Sequence, residues 1–405
     1  MQSKYTIPFN KIFLGDNSTN YLQHVIQNKA LGQRQYIEQC ESFFQDRYGY
    51  VNALLTPTCT DALEMAALLI DVQEGDEIIL ASYGYVSTAN AFILRGAKLI
   101  FIDSSIQNPN IAAASVEEQI TPRTKAIVIT HYGGIACEME QLIAIAKKHN
   151  VFLIEDAAHS VDAFYKNSAL GSFGDIATFS FDHTKNISCG QGGMIVINNK
   201  SLHNRAEILR ERGTNRTAFL NGLADRYTWH NVGSAYRLSE LSAALLYAQL
   251  MNIDAVQKKR MEVWNFYWDH LSSLHKKGLL ILPTLNSPIK HNAHIFFFCL
   301  PIPSERSKFI AYMTECGIQC VSHYISLHTS PFYRNKHDGR ALKQADFYTE
   351  YLIRLPIYPE LTLSEAKFVV DSISSFFVQN HTVLRIERRE QRIERKNVRN
   401  ETKFH

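Results

Sequence analysis

Three stretches of this 405-residue chain hold residue types that could do chemistry at the spacing they show. Asp156 ends the apolar run Val151-Phe152-Leu153-Ile154-Glu155-Asp156, where a carboxylate is costly unless it meets a cation or hydrogen-bond donors. Lys185 follows 29 positions later in Ser180-Phe181-Asp182-His183-Thr184-Lys185-Asn186, just beyond another apolar run. A partly desolvated lysine is suited to forming a Schiff base with an aldehyde. The glycines after it, in Cys189-Gly190-Gln191-Gly192-Gly193, let backbone approach a ligand closely. The third stretch, Thr56-Pro57-Thr58-Cys59-Thr60-Asp61-Ala62-Leu63, sets small hydroxyl-bearing residues at a helix opening, where free amides and the positive helix end hold phosphate.

Each stretch alone has a plainer reading: an acid capping a turn, a surface lysine, an N-cap at Thr60. Together they offer a phosphate anchor, a partner for a protonated ring nitrogen and an amine for an aldehyde. Pyridoxal 5′-phosphate presents those three features to a protein. The helix opening is neither a Walker loop nor a GxGxxG turn, which argues against nucleoside triphosphates and dinucleotides.

The elements that must position these residues are legible in the hydrophobic pattern. Ala53-Leu54-Leu55, Glu77 to Leu80, Lys98 to Ile102, Ala126 to Ile129 and Val151 to Ile154 read as strands that are apolar throughout, as expected when both faces are covered. Helical patterns between them, such as Asp61 to Leu69 and Glu138 to His149, predict a parallel sheet with crossover helices. Ile176 to Phe181 and Met194 to Ile197 follow without an intervening helix and predict an adjacent, hairpin-like pair. A long helical pattern runs from Glu240 to about Ser273. After Pro283 the signals change to a smaller α+β unit: strands Ala293 to Leu300 and Ile318 to Ser322, helices Ser304 to Cys316 and Ser364 to Phe377. The expected organisation is a large domain over 1–250, a small domain over 251–380 and a charged tail over 381–405.

Composition excludes several classes. Hydrophobic residues make up 46% and charged residues 20%, as in ordinary globular proteins. No apolar run approaches the ~18–20 residues of a membrane span, so no transmembrane segment is expected. The first residues lack the apolar core of a signal peptide. The net charge is +3, but the tail alone carries eight Lys/Arg against four Asp/Glu, leaving a nearly neutral body without a nucleic-acid footprint. Seven scattered cysteines read as reduced thiols in a cytoplasmic protein. His291 and His294 lack a third ligand and do not make a metal site. His131, at a strand end, either lines the site or is structural.

From about Ile7 to Gln379 the chain resembles the DegT/DnrJ/EryC1/StrS sugar-nucleotide aminotransferases. The likeness is carried by Leu54 to Ala67, Val86 to Gly96, His131 to Met139, Thr184-Lys185-Asn186 and Gly213-Thr214-Asn215-Arg216. The pattern is most similar to members that make dTDP-4-amino-4,6-dideoxygalactose, as in enterobacterial common antigen and related O-antigen sugars. The resemblance implies an α/β, aspartate-aminotransferase-like fold and pyridoxal phosphate as cofactor. It implies a ping-pong exchange in which L-glutamate gives its amino group to a dTDP-keto-sugar, and a homodimer with shared sites.

Residue by residue, Lys185 matches the catalytic lysine and Asp156 the partner of the ring nitrogen. Cys59, Thr60 and Ser180 match phosphate positions, Tyr85 the aromatic on the ring face, and Asn231 a segment reaching the neighbour's site. His323, Tyr324 and His328 match the stretch near the sugar nucleotide. His159 stands where the family usually has Gln beside the cofactor's phenolic oxygen, Gln191 replaces an acid, and Ala235 replaces an Asn. These departures leave open the gluco epimer, another nucleotide keto-sugar, or a catalytically silent sensor of the same fold. Lys185 argues against the related 3-dehydratases, which carry histidine there.

Overall fold

The computed structural model describes residues 5–285 and 288–379; the tail expected over 381–405 lies outside them. The described strands are β1 (Ala53–Thr56), β2 (Glu77–Ala81), β3 (Lys98–Ile102), β4 (Thr124–Thr130), β5 (Phe152–Asp156), β6 (Phe164–Tyr165), β7 (Ser168–Ala169), β8 (Ile176–Ser180), β9 (Gly193–Ile197), β10 (Ile289–Lys290), β11 (Phe296–Cys299) and β12 (Leu352–Leu355). Seven form one sheet in the order β1-β9-β8-β5-β4-β2-β3. β8, β5, β4, β2 and β3 run parallel, while β9 is antiparallel to both β8 and β1. The sheet is mixed and mostly parallel, in the α/β class.

Alternation along buried strands explains why they read as continuous apolar runs. The helices that cover the sheet begin with α1 (Ser18–Gln27), α2 (Gln35–Tyr48), α3 (Cys59–Leu69), α4 (Val86–Ile93) and α5 (Met139–His149). Ile79, Ile127 and Leu153 pack on one side with Leu142 and Ile145 of α5, whereas Ile78, Val128 and Ile154 pack on the other with Leu63 and Ala66 of α3. Each such large side chain contributes about 1.5–3 kcal/mol on burial.

β8 and β9 are adjacent and antiparallel, as expected, and their connection, closed by Phe181 N–H to Gly192 O at 2.8 Å, carries Lys185. β9 begins against the start of α3. A Cβ on Gly193 would lie 2.3 Å from the Thr58 carbonyl carbon, so this approach requires glycine.

The C-terminal elements pack around β11, which pairs antiparallel with β12, and around the helices Ile253–Lys276 and Ser304–Glu315. Residues 363–379 are helical as well. The start of the chain joins this cluster, since Ile7 is buried in it and bridges Ile318. β10 pairs with β6, bringing a late segment onto an early one.

Two expectations change. The helix expected from Glu240 to Ser273 is two, Glu240–Leu250 and Ile253–Lys276. At the break the Asn252 side chain donates to Ala248 O at 2.9 Å, competing with the helical ladder. Ile318 to Ser322 makes only isolated bridges, Ile7 with Ile318 and Val321 with Arg354, because its partners come from different directions. No helix among the described residues is long and apolar enough to cross a membrane.

The carboxyl end of β5 is held by Glu155, which is fully buried. One carboxylate oxygen accepts from the Phe173 and Gly174 amides at 2.8 and 2.7 Å; the other accepts from Gly171 N–H at 2.8 Å and His131 Nε2 at 2.9 Å. The Cys137 amide donates to His131 Nδ1, so the proton of a neutral imidazole sits on Nε2. His131 is therefore structural and does not line the site. Glu155→Gln would turn an amide group toward two of these donors. It should cost about 3–5 kcal/mol of unfolding free energy, the range for breaking a buried charged network, read as a lower urea midpoint.

Candidate active site

The carboxyl ends of β5 and β8, the α3 opening and the β8–β9 connection meet at a cavity of about 410 Å³. Cys59, Thr60, Tyr85, Asp156, His159, Ser180, Lys185, His323 and Tyr324 all line it. The sheet thus brings together residues spread over more than half the chain, at the strand ends where ligands collect in such sheets.

The α3 opening differs in detail from expectation. Thr58, not Thr60, is the N-cap: its hydroxyl accepts from Asp61 N–H at 2.9 Å. The amides of Cys59 and Thr60 then occupy the first helical turn, where no intrahelical acceptor exists. Thr60 Oγ1 is free to turn elsewhere and donates to Ser87 Oγ at 2.9 Å. With Ser180 across the cavity, this is a cradle suited to a phosphate.

Asp156 is 3% exposed; its carboxylate accepts from Thr88 Oγ1 at 2.5 Å and Ala158 N–H at 3.1 Å. Burial pushes its pKa up despite these donors and the nearby Lys185. Burial likewise pushes Lys185 down, despite Cys59 and Asp156 beside it. Mutual attraction would move both the other way, so desolvation outweighs it. A buried carboxylate short of a cation fits a protonated pyridine nitrogen, and a lysine driven toward the free amine fits an aldehyde. The residues present suit pyridoxal 5′-phosphate.

His323 and Tyr324 are held at the cavity from behind. Leu327 N–H donates to Ser82 O at 2.9 Å, Ser82 Oγ meets His328 Nδ1 at 2.7 Å, and His328 Nε2 lies 3.5 Å from Asp346. Tyr83 and Tyr132 donate their hydroxyls to His323 O. His328, expected as a substrate contact, instead anchors this segment to the end of β2 and is absent from the cavity wall. The Tyr324 ring stands 5.9 Å from Tyr85, which is 56% exposed at the N-cap of α4.

Asn231 also lies off the cavity of a single chain. It is exposed on a loop pinned to Gly213, whose carbonyl accepts from His230 and Asn231 amides at 2.7 and 3.0 Å. Gly213 has φ 77°, and a Cβ there would strike Asn231 O.

Among the wall residues that the sequence pattern does not single out are Arg354, Thr88 and His294. Arg354 of β12 is buried and donates through Nη1 to His323 Nδ1 at 2.7 Å; its guanidinium covers the Phe9 ring at 4.9 Å, and its Nε has no hydrogen-bond partner. Burial and then Arg354 push His323 down to about 4, leaving it neutral. An arginine inside the apolar run Leu352 to Ile357 was the signal available. Thr88 and His294 also line the cavity. His291 packs instead on Trp264, with ring centroids 4.2 Å apart, so the two histidines face different surroundings.

The model of the DegT/DnrJ/EryC1/StrS aminotransferase family matches residues 13–374. A spore coat polysaccharide biosynthesis protein of Bacillus subtilis, SpsC, is 30% identical over 380 residues, covering 91% of this chain and 96% of its own length. GDP-perosamine synthase of Escherichia coli O157:H7 is 31% identical over 347 residues, covering 84% of this chain and 90% of its own. Among solved structures, an aminotransferase from Psychrobacter cryohalolentis is similar with a TM-score of 0.86 and 25% identity, over 92% of this chain and 100% of that one.

Thr88→Val keeps the shape of α4 but removes a donor to a buried carboxylate, an interaction worth about 1.5–3 kcal/mol. Cofactor affinity should fall roughly tenfold or more, measured by the cofactor absorbance retained across a dilution series.

Proposed function

Because the chain belongs to the DegT/DnrJ/EryC1/StrS aminotransferase family, with pyridoxal 5′-phosphate as its cofactor, we propose that it transfers the amino group of L-glutamate to C4 of dTDP-4-keto-6-deoxyhexose, giving dTDP-4-amino-4,6-dideoxygalactose. The observation that carries this reading is the meeting of Lys185, Asp156 and the α3 opening in one cavity. A relative named GDP-perosamine synthase supports a nucleotide-linked sugar as the acceptor. The intact lysine and aspartate count against a silent sensor.

When bound, the cofactor supplies an aldehyde that takes up an amino group and a ring that draws off electrons. The chain's residues do the rest. Cys59 and Thr60 amides, with Ser180, would hold the phosphate. Asp156 would keep a proton on the ring nitrogen. Lys185, its amine favoured in the neutral form, would take up and return a proton at Nζ. Tyr85 would offer an aromatic face, and His159 one hydrogen-bond donor. Arg354 binds a carboxylate of glutamate: it is a cation on the wall with Nε still unpaired. His323 and Tyr324 then face the sugar.

A homodimer belongs to the same reading. Leu223, Tyr227, Trp229 and Val232 are exposed around Asn231, an apolar surface suited to a second copy. In such a dimer the loop would carry Asn231 toward the neighbour's cavity.

The test is a single preparation mixed with glutamate, read by absorbance for the loss of the cofactor's resting band. A panel of dTDP-, UDP- and GDP-keto-sugars follows, with products identified by NMR. Lys185→Ala should show neither the resting band nor turnover. A product on another nucleotide would replace the stated acceptor, and one with the gluco configuration would replace the stated product. Arg354→Gln should raise KM for glutamate about 10- to 100-fold, the equivalent of one charge-assisted pair, with far less effect on KM for the sugar.

A further inference from the structure

The His159 and His294 rings pack against each other in the cavity wall, with centroids 4.5 Å apart and planes tilted by 33°. They come from distant parts of the chain, the end of β5 and the approach to β11, and both are buried. The hydrogen bonds around them leave one tautomer each. Gly133 N–H donates to His159 Nδ1 at 3.3 Å, so His159 carries its proton on Nε2. His294 Nδ1 meets Asn186 Oδ1 at 2.8 Å. The Asn186 amide nitrogen is committed to Asn292 O at 2.9 Å and Gln257 Oε1 at 3.1 Å, so its oxygen faces His294 and the proton sits on Nδ1.

The network closes on itself. Asn292 donates to His159 O at 2.8 Å and accepts from His294 N–H at 3.1 Å. Asn186, the residue next to Lys185, is therefore tied through His294 and Asn292 to the backbone of His159.

We propose that His294 is a positioning residue: packed against the His159 ring and bonded to Asn186, it holds His159 as a neutral ring with Nε2–H as its one free donor, aligned with the Lys185 segment. This inference rests on the aminotransferase reading and extends it to a residue from the C-terminal half of the chain. Burial, then Lys185, pushes His159 well below the usual histidine range; burial, then His159 itself, does the same to His294. The groups facing the pair act in that direction. Lys185, His323 and Arg354 lie toward His159, and Arg260, which donates to His294 O at 2.9 Å, lies behind His294. Asp156 lines the same cavity with the opposing charge. With the cofactor bound, a fixed neutral donor beside its ring oxygen would draw on that oxygen's charge and loosen its hold on a proton at Lys185 Nζ. Freeing the His159 ring should raise the pH at which that proton leaves.

The experiment is a pH titration of the cofactor absorbance band in purified holoenzyme, for the parent, His294→Ala, His159→Gln and the double variant. His294→Ala should move the midpoint upward by about one pH unit, a tenfold change in the proton equilibrium. In the His159→Gln background the same substitution should move it by less than about a third of that, because interacting sites are not additive. An unchanged midpoint in His294→Ala with cofactor bound, or an equal shift in both backgrounds, overturns the positioning role and leaves the aminotransferase reading intact. A parent with no cofactor band overturns both. Should His294→Ala not fold, His294→Asn, which keeps a donor toward Asn186 but no ring against His159, takes its place in the same cycle, and the same shifts support or overturn the role.

Discussion

Removing water from one lysine and one aspartate is the constraint around which this structure is arranged. In solvent, Lys185 would be a permanently charged ammonium and Asp156 an indifferent carboxylate. Inside the cavity each is pushed toward its neutral form, and the push is stronger than their attraction for each other. A fold that kept them dry without a ligand's charges would only be destabilised by them. With a phosphate, a protonated ring nitrogen and an aldehyde to receive them, the same desolvation becomes reactivity.

Holding that arrangement takes rigid support on every side. Glu155, one residue before Asp156, gathers three amides and His131, so the end of β5 cannot shift without stranding several buried groups. The antiparallel turn from β8 to β9 carries Lys185, and Gly193 lets that turn settle on the start of α3. Ser82, His328 and Asp346 fasten the 323–328 segment opposite. His131, which was open to either role, and His328, expected near the sugar nucleotide from the family resemblance, serve as fasteners. Three of the histidines at the cavity, His159, His294 and His323, are kept neutral by burial and cationic neighbours.

The cavity wall sets Lys185 and Arg354 against Asp156 and Asp182, and both carboxylates are engaged by donors of their own. Arg354, with Nε unpaired, is the group there suited to a substrate carboxylate, beside hydroxyl, aromatic and neutral imidazole groups. Arg354 is braced on Phe9, so β12 and an early segment meet at the cavity wall.

By itself the sequence determined the sheet and the chemistry placed on it. Strands buried on both faces must be apolar throughout, so their runs stood out, and Asp156 at the end of one and Lys185 shortly beyond another were conspicuous. The change of connection between β8 and β9 showed because no helical stretch lay between them. What the tertiary structure decided was mostly contact between distant segments. Thr58 rather than Thr60 caps α3 because capping depends on the local turn, and either hydroxyl would serve by composition. His328 turned away from the cavity because Ser82, 246 positions earlier, was there to bond it. Arg354 and His294 joined the wall because β12 and the approach to β11 fold back over the main sheet. Periodicity along one chain reports which face a residue takes, and it carries no record of which remote residue will stand opposite.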